Sequence, residues 1–170
     1  MATAFWVSWA LGDTMATVLF ALVSFLTLRE FITLSPTRRG DHRSLVLAFF
    51  LVLPIQFWLV ANRHFDLFTV FIPVYVFLAI PVVSALADDP QRFLERNAKL
   101  QWGIMVCIYG MSHVPALLLL EFKNWTDRGA FLVFFLVFVV QIGTLVQHLV
   151  SRRWPRPPRA PNVSQSFNWT

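Results

Sequence analysis

Residues 141–170 read QIGTLVQHLVSRRWPRPPRAPNVSQSFNWT. The stretch begins inside an apolar span, leaves it through Arg152 and Arg153, and crosses a basic segment rich in proline. An apolar run closed by paired arginines marks a helix ending at a membrane surface, because guanidinium groups stay with water and headgroups. Proline lacks the backbone N–H and fixes φ, so residues 155–161 should run as a stiff extended tail.

Working outward, four more runs of the same kind precede this one. The expected spans are about 15–34, 45–60, 67–86, 100–120 and 129–150, each near the roughly 20 residues that cross the hydrocarbon. Hydrophobic residues make up 57% of the chain and charged residues 14%, against roughly 45–50% and about 25% in soluble domains. The runs lack strict alternation, which excludes a barrel. The expected fold class is therefore an all-α integral membrane protein, a bundle of about five transmembrane helices. Residues 1–150 form the membrane domain and 151–170 the tail. Residues 1–12 are too short to span and lie in the interface or extend the first helix.

The net charge of +5 does not indicate nucleic acid, because the basic residues sit in short loops between spans. Alternate flanks carry eleven and three Lys and Arg residues. The richer side holds Arg29, Arg38, Arg39, Arg43, Arg92, Arg96, Lys99 and the four arginines of the tail. By the positive-inside rule that side is cytoplasmic, with the N-terminus outside and the C-terminus inside. The single cysteine, Cys107, lies mid-span and excludes an intrachain disulfide.

Polar residues within spans are the first candidates for function. They are Gln56, Gln101, Ser112, His113 and Gln141. Their plainer role is hydrogen bonding between helices, and His113, next to Pro115, reads as a structural donor. Four prolines, Pro54, Pro73, Pro81 and Pro115, each remove a backbone hydrogen bond inside a span. Arg29, Arg38, Arg39 and Arg43 could grip a lipid or nucleotide phosphate, since guanidinium pairs bidentately with phosphate oxygens. Asp88 and Asp89 suit a helix N-terminus led by Pro90 better than a divalent cation. No phosphate-binding glycine loop, His-Glu-x-x-His, CxxC or Ser-His-Asp set is present, so no metal ligands and no catalytic residues are assigned.

Longer runs carry a resemblance. LREFITLSPTRRGDHR at residues 28–43 and FIPVYVFL at residues 71–78 are similar to bacterial phosphatidate cytidylyltransferases, the CDP-diacylglycerol synthases. So are RFLER at residues 92–96, QWG at 101–103 and SHVPALL at 112–118. The resemblance covers roughly residues 15–166. It implies a reaction of CTP with phosphatidate to give CDP-diacylglycerol and pyrophosphate, within phospholipid biosynthesis, using magnesium. It implies phosphatidate and other anionic headgroups as partners, CTP if the chain is active, and a location in the bacterial inner membrane. Ser164 and Ser166 join the substrate-binding candidates because they fall at the entry of the family's Ser-Pro-x-Lys-Thr-Trp-Glu-Gly motif.

The chain also departs from that pattern. Gly143-Thr144 stands where the family typically has Ser-Asp, Gln165 where proline is usual, Phe167 near the expected lysine, and Thr170 where glutamate is usual. A site poor in carboxylates holds magnesium badly. The favoured expectation is therefore a truncated or divergent relative, inactive alone. The alternatives are one half of a split enzyme, completed by a C-terminal half or a second copy, and a non-enzymatic scaffold that binds anionic lipid.

Overall fold

The computed structural model describes residues 13–35, 38–87, 89–120 and 129–153. Residues 1–12, Asp88, and the tail beyond Arg153 with Ser164 and Ser166 lie outside these. All regular structure among the described residues is helical. The chain divides into two units, Met1–Thr126 and Asp127–Thr170.

The first unit holds four rods. Helix α1 is Asp13–Leu34, α2 is His42–Ala61 and α3 is Phe65–Ala85. Helix α4 runs over residues 93–118. The second unit holds α5, Gly129–Arg153. At 25 residues and 1.5 Å per residue, α5 is about 37 Å long, more than the roughly 30 Å of hydrocarbon. It runs three residues beyond the expected end at 150, taking Arg152 and Arg153 into its last turn. Cations there complement the negative end of the helix dipole.

Helices α1, α2, α3 and α5 are long and apolar enough to cross a membrane. Helix α4, expected to span over 100–120, does not meet that measure, and it starts seven residues earlier than expected, at Phe93. Gln101, Ser112 and His113 dilute its apolar run, and its first turns carry Glu95, Arg96 and Lys99.

The core lies where α1–α4 meet: Leu28, Ala48, Val52, Ile72, Ile80, Ile104 and Ile108 are sealed from solvent. In lipid there is little hydrophobic drive between helices, so close packing and hydrogen bonds hold them together. Gly103 shows the closeness: a Cβ there would lie 2.6 Å from Cε1 of Phe31. The missing side chain lets the Phe31 ring rest on the α4 backbone.

The prolines leave a further mark. Helices α2, α3 and α4 each widen into a π turn, at Ala48–Val52, Phe71–Val76 and Met105–Gly110. A π turn absorbs a break in the i→i−4 ladder, and prolines supply such breaks. Side chains from neighbouring helices then meet the released carbonyls. Gln101 Nε2 donates to the Phe77 carbonyl, four residues before Pro81, at 2.8 Å. Tyr109 Oη donates to the Thr69 carbonyl, four before Pro73, at 3.3 Å. Gln56 Nε2 donates to the Phe68 carbonyl, five before Pro73, at 3.4 Å. Ser24 Oγ donates to the Cys107 carbonyl at 2.6 Å, because the Met111 N–H turns to Ile108 instead.

Candidate functional site

The turns α1–α2 and α3–α4 lie together at one end of the first unit, which gathers its basic residues there. Arg96 is the centre. Its place on α4 follows from spacing: Arg96, Leu100, Gly103 and Ile104 share the buried stripe of that helix. A charged group on an apolar stripe must find partners. Arg96 Nε donates to Asp41 Oδ1 at 2.8 Å, and Nη1 donates to Asp89 Oδ2 at 2.7 Å and to the Gln91 carbonyl at 2.9 Å. Its side chain is only 7% exposed. Nη2 is buried and has no hydrogen-bond partner among the described residues.

The two carboxylates are held differently. Asp41 Oδ2 accepts the Arg38 backbone N–H at 3.0 Å, and its side chain is 12% exposed. Asp89 Oδ1 accepts the Gln91 N–H at 3.2 Å, and its side chain is 26% exposed. This use of Asp89 corrects the expected helix start at Pro90. The helix begins at Phe93, after Arg92 in a left-handed conformation with φ 51°. The Asp89 carboxylate serves Arg96 and a tight turn instead of capping.

Beside the clasp lies a small cleft, with a cavity volume of about 20 Å3, lined by Phe31, Ile32, Ser35, Asp41, Leu45, Arg96, Lys99 and Leu100. One end offers cations and a hydroxyl, the rest apolar walls. Lys99 Nζ donates to Glu95 Oε1 at 2.7 Å. That hydrogen bond, with the charge of Lys99, holds the Glu95 carboxyl below its ordinary value.

Of the arginines singled out in the sequence, Arg38 and Arg43 make contacts between the two turns. Arg38 Nη1 donates to Gln91 Oε1 at 2.7 Å, and Arg43 Nη1 donates to the Leu86 carbonyl at 3.3 Å. Both therefore bind the α1–α2 turn to the α3–α4 turn. Arg29 is exposed, and the Arg39 side chain lies outside the described ones. Arg96 went unassigned because it sits in RFLER, which reads as an amphipathic turn. The signal available was its helical register with Leu100 and Ile104.

Gln56, Gln101, Ser112 and His113 are not among the residues that line the cleft, though the last three share helix α4 with Arg96. Gln56 and Ser112 are sealed, with Gln56 Nε2 donating to Ser112 Oγ at 3.2 Å. Ser112 Oγ in turn donates to the Tyr109 carbonyl at 2.7 Å. His113 Nδ1 also donates to that carbonyl at 2.7 Å, and its ring packs edge-on against Tyr109. Gln141 is exposed on α5. Thr144 donates to the Val140 carbonyl of its own helix at 2.9 Å.

Magnesium needs several charged oxygens. Among the described residues no three His, Cys, Asp or Glu side chains gather in one place. Asp41 and Asp89 do meet, but the Arg96 guanidinium fills the position between them. The described residues do not fit the metal.

Residues 1–166 match the cytidylyltransferase family. The chain belongs to that family. The resemblance read from the sequence was to its CDP-diacylglycerol synthases. The uncharacterized protein YnbB of Escherichia coli (strain K12) is 31% identical over 150 residues, which are 88% of this chain and 48% of the relative. The chain thus spans about half the length of that relative. No solved structure matches. A cytidylyltransferase-family chain with four helices long and apolar enough to cross a bilayer is a membrane protein.

Proposed function

We propose that this chain is the membrane-embedded, lipid-binding part of a phosphatidate cytidylyltransferase. The full reaction joins CTP and phosphatidate into CDP-diacylglycerol and releases pyrophosphate. This chain's share is to seat the phosphatidate headgroup. The observation that carries the reading is the cleft, where Arg96, Lys99 and Ser35 meet the apolar walls of Phe31, Ile32, Leu45 and Leu100. A phosphate with acyl chains needs both surfaces at once, since guanidinium and ammonium groups pair with phosphate oxygens while the chains stay in hydrocarbon. In this reading the basic end faces the cytoplasm of a bacterial inner membrane, where CTP is present. The N-terminus is then outside and the C-terminus inside, as the loop charges favour.

Phosphoryl transfer leans on charged groups that neutralise the developing phosphate charge. The Asp41 and Asp89 carboxylates beside the cleft are engaged with Arg96. Turnover therefore draws on residues other than these, such as those in the remaining length of the family relative.

The test is CTP-dependent CDP-diacylglycerol formation by the purified chain, with magnesium, alone and co-expressed with the C-terminal half of the relative. Turnover only with the added half is expected. Robust turnover by the chain alone would overturn the division of labour. Loss of selective retention of phosphatidate over phosphatidylcholine would overturn the lipid seat. Retention of phosphatidate without turnover in either format would favour the non-enzymatic lipid-binding module.

A further inference from the structure

We infer that Arg96 is the phosphate-holding residue of the cleft and that Asp89 is its exchangeable occupant, so that an arriving phosphomonoester opens the α3–α4 turn. This inference rests on the lipid-seating role proposed above.

The charge count shows the need for exchange. Arg96 faces Asp41 and Asp89, so one positive charge already meets two negative ones. A phosphate approaching that arrangement is repelled until a carboxylate leaves. Of the two, Asp89 is the one able to leave. Asp41 is the more buried, and it is anchored on both oxygens, by Arg96 and by the Arg38 backbone. Among the described residues, the second oxygen of Asp89 is held from within its own turn, by Gln91.

Geometry identifies what the exchange uncovers. The Nη2 of Arg96 is buried and has no hydrogen-bond partner among the described residues. The position of a Cβ on Gly40 lies 3.4 Å from that nitrogen and 3.2 Å from the Asp89 Cβ. Gly40 and Asp89 therefore close over the terminal edge of the guanidinium. With Asp89 gone, Nη1 and Nη2 form a fork for two phosphate oxygens, the arrangement in which arginine binds phosphate best. Lys99 and Ser35 line the same cleft for the remaining oxygens. Asp41 keeps Nε and so fixes the plane of the fork. Replacing one anion by another keeps the guanidinium compensated at every stage, which avoids the large penalty of a buried unpaired charge.

The outcome has an unusual sign. Most ligands slow backbone exchange where they bind, whereas here binding releases residues 89–92. The experiment is hydrogen–deuterium exchange of the full chain in detergent, with dioctanoyl phosphatidate, dioctanoyl phosphatidylcholine or inorganic phosphate, alongside affinities of Asp89→Asn and Arg96→Gln for dioctanoyl phosphatidate. Phosphatidate should speed exchange across 89–92, and phosphatidylcholine should not. Asp89→Asn should exchange fast without lipid and bind phosphatidate about fivefold more tightly or better, because the competing charge is gone. Arg96→Gln should lose binding; if that variant fails to fold, the wild type and Asp89→Asn decide between them. Slower exchange in 89–92 on binding phosphatidate, or Asp89→Asn binding no more tightly, overturns the exchange while leaving the lipid seat standing. Absence of any phosphatidate binding by the wild type removes both. Opening by inorganic phosphate at equal concentration supports the exchange and removes the lipid reading.

Discussion

At the basic end of the bundle, Arg96 on α4 reaches Asp41, 55 residues earlier in the chain, and both groups are ionic. Elsewhere between the helices, Gln101, Tyr109, Gln56 and Ser24 reach backbone carbonyls of other helices, and none of these groups is charged. Both regions satisfy polar groups away from water, but the consequences of losing a partner differ. Removing one member of the ionic clasp strands a charge. Removing a neutral donor strands one carbonyl, and in a membrane the unfolded reference finds other partners, so each bond is worth little. The clasp is thus the vulnerable part of the molecule, and the carbonyl bonds are the tolerant part.

The strongest test of that contrast is Arg96→Met. It leaves Asp41 and Asp89 facing each other and should cost about 3–5 kcal/mol, read as a fall in the thermal midpoint of the detergent-solubilised chain. Adding Asp41→Asn and Asp89→Asn should recover part of the loss, since a wholly uncharged cluster strands nothing. If the triple variant is worse than Arg96→Met, the clasp is not held by charge. Gly103→Ala lies between the two regions. Its Cβ would overlap the Phe31 ring and should cost about 2 kcal/mol by overpacking, with Phe31→Leu restoring most of it in the same melting assay.

Tyr109→Phe probes the tolerant region and should cost about 1 kcal/mol or less. Its diagnostic is a double-mutant cycle with Pro73→Ala. Alanine restores a backbone donor near the Thr69 carbonyl, so Tyr109→Phe should cost less in that background; an unchanged cost would separate the tyrosine from the proline. The smallest effect belongs to Glu95→Gln. The Glu95 carboxyl titrates below its ordinary value because of the hydrogen bond and charge of Lys99. Its contribution is therefore present above the unfolded carboxylate value and lost as pH falls through the lowered folded one. The melting difference between wild type and variant should be small at neutral pH and vanish in acid, and should shrink with added salt.

Much of the scaffold was legible in the residues. The apolar runs announced α1, α2, α3 and α5, because length and hydropathy are properties of a segment by itself. The prolines announced that carbonyls would be released, though not which side chains would meet them. Gln101 and Ser112 stood out as polar residues in apolar runs, but their partners Phe77 and Gln56 lie on other helices. The site was legible only as an end of the molecule. Arg38 and Arg43 drew attention as a cluster, yet they brace turns, whereas Arg96 appeared as one charge among several in RFLER.

The sequence alone determined a helical membrane chain of the cytidylyltransferase kind, with its basic loops gathered on alternate connections. These follow from local composition, from the period of the apolar residues and from the order of the runs. Only the tertiary structure decided that Asp41, Asp89 and Arg96 form one clasp, that Gly40 and Asp89 cover its Nη2, and that Gly103 admits Phe31. Those facts depend on how four rods rotate and approach one another. Burial and pairing belong to that arrangement, and no single segment carries them.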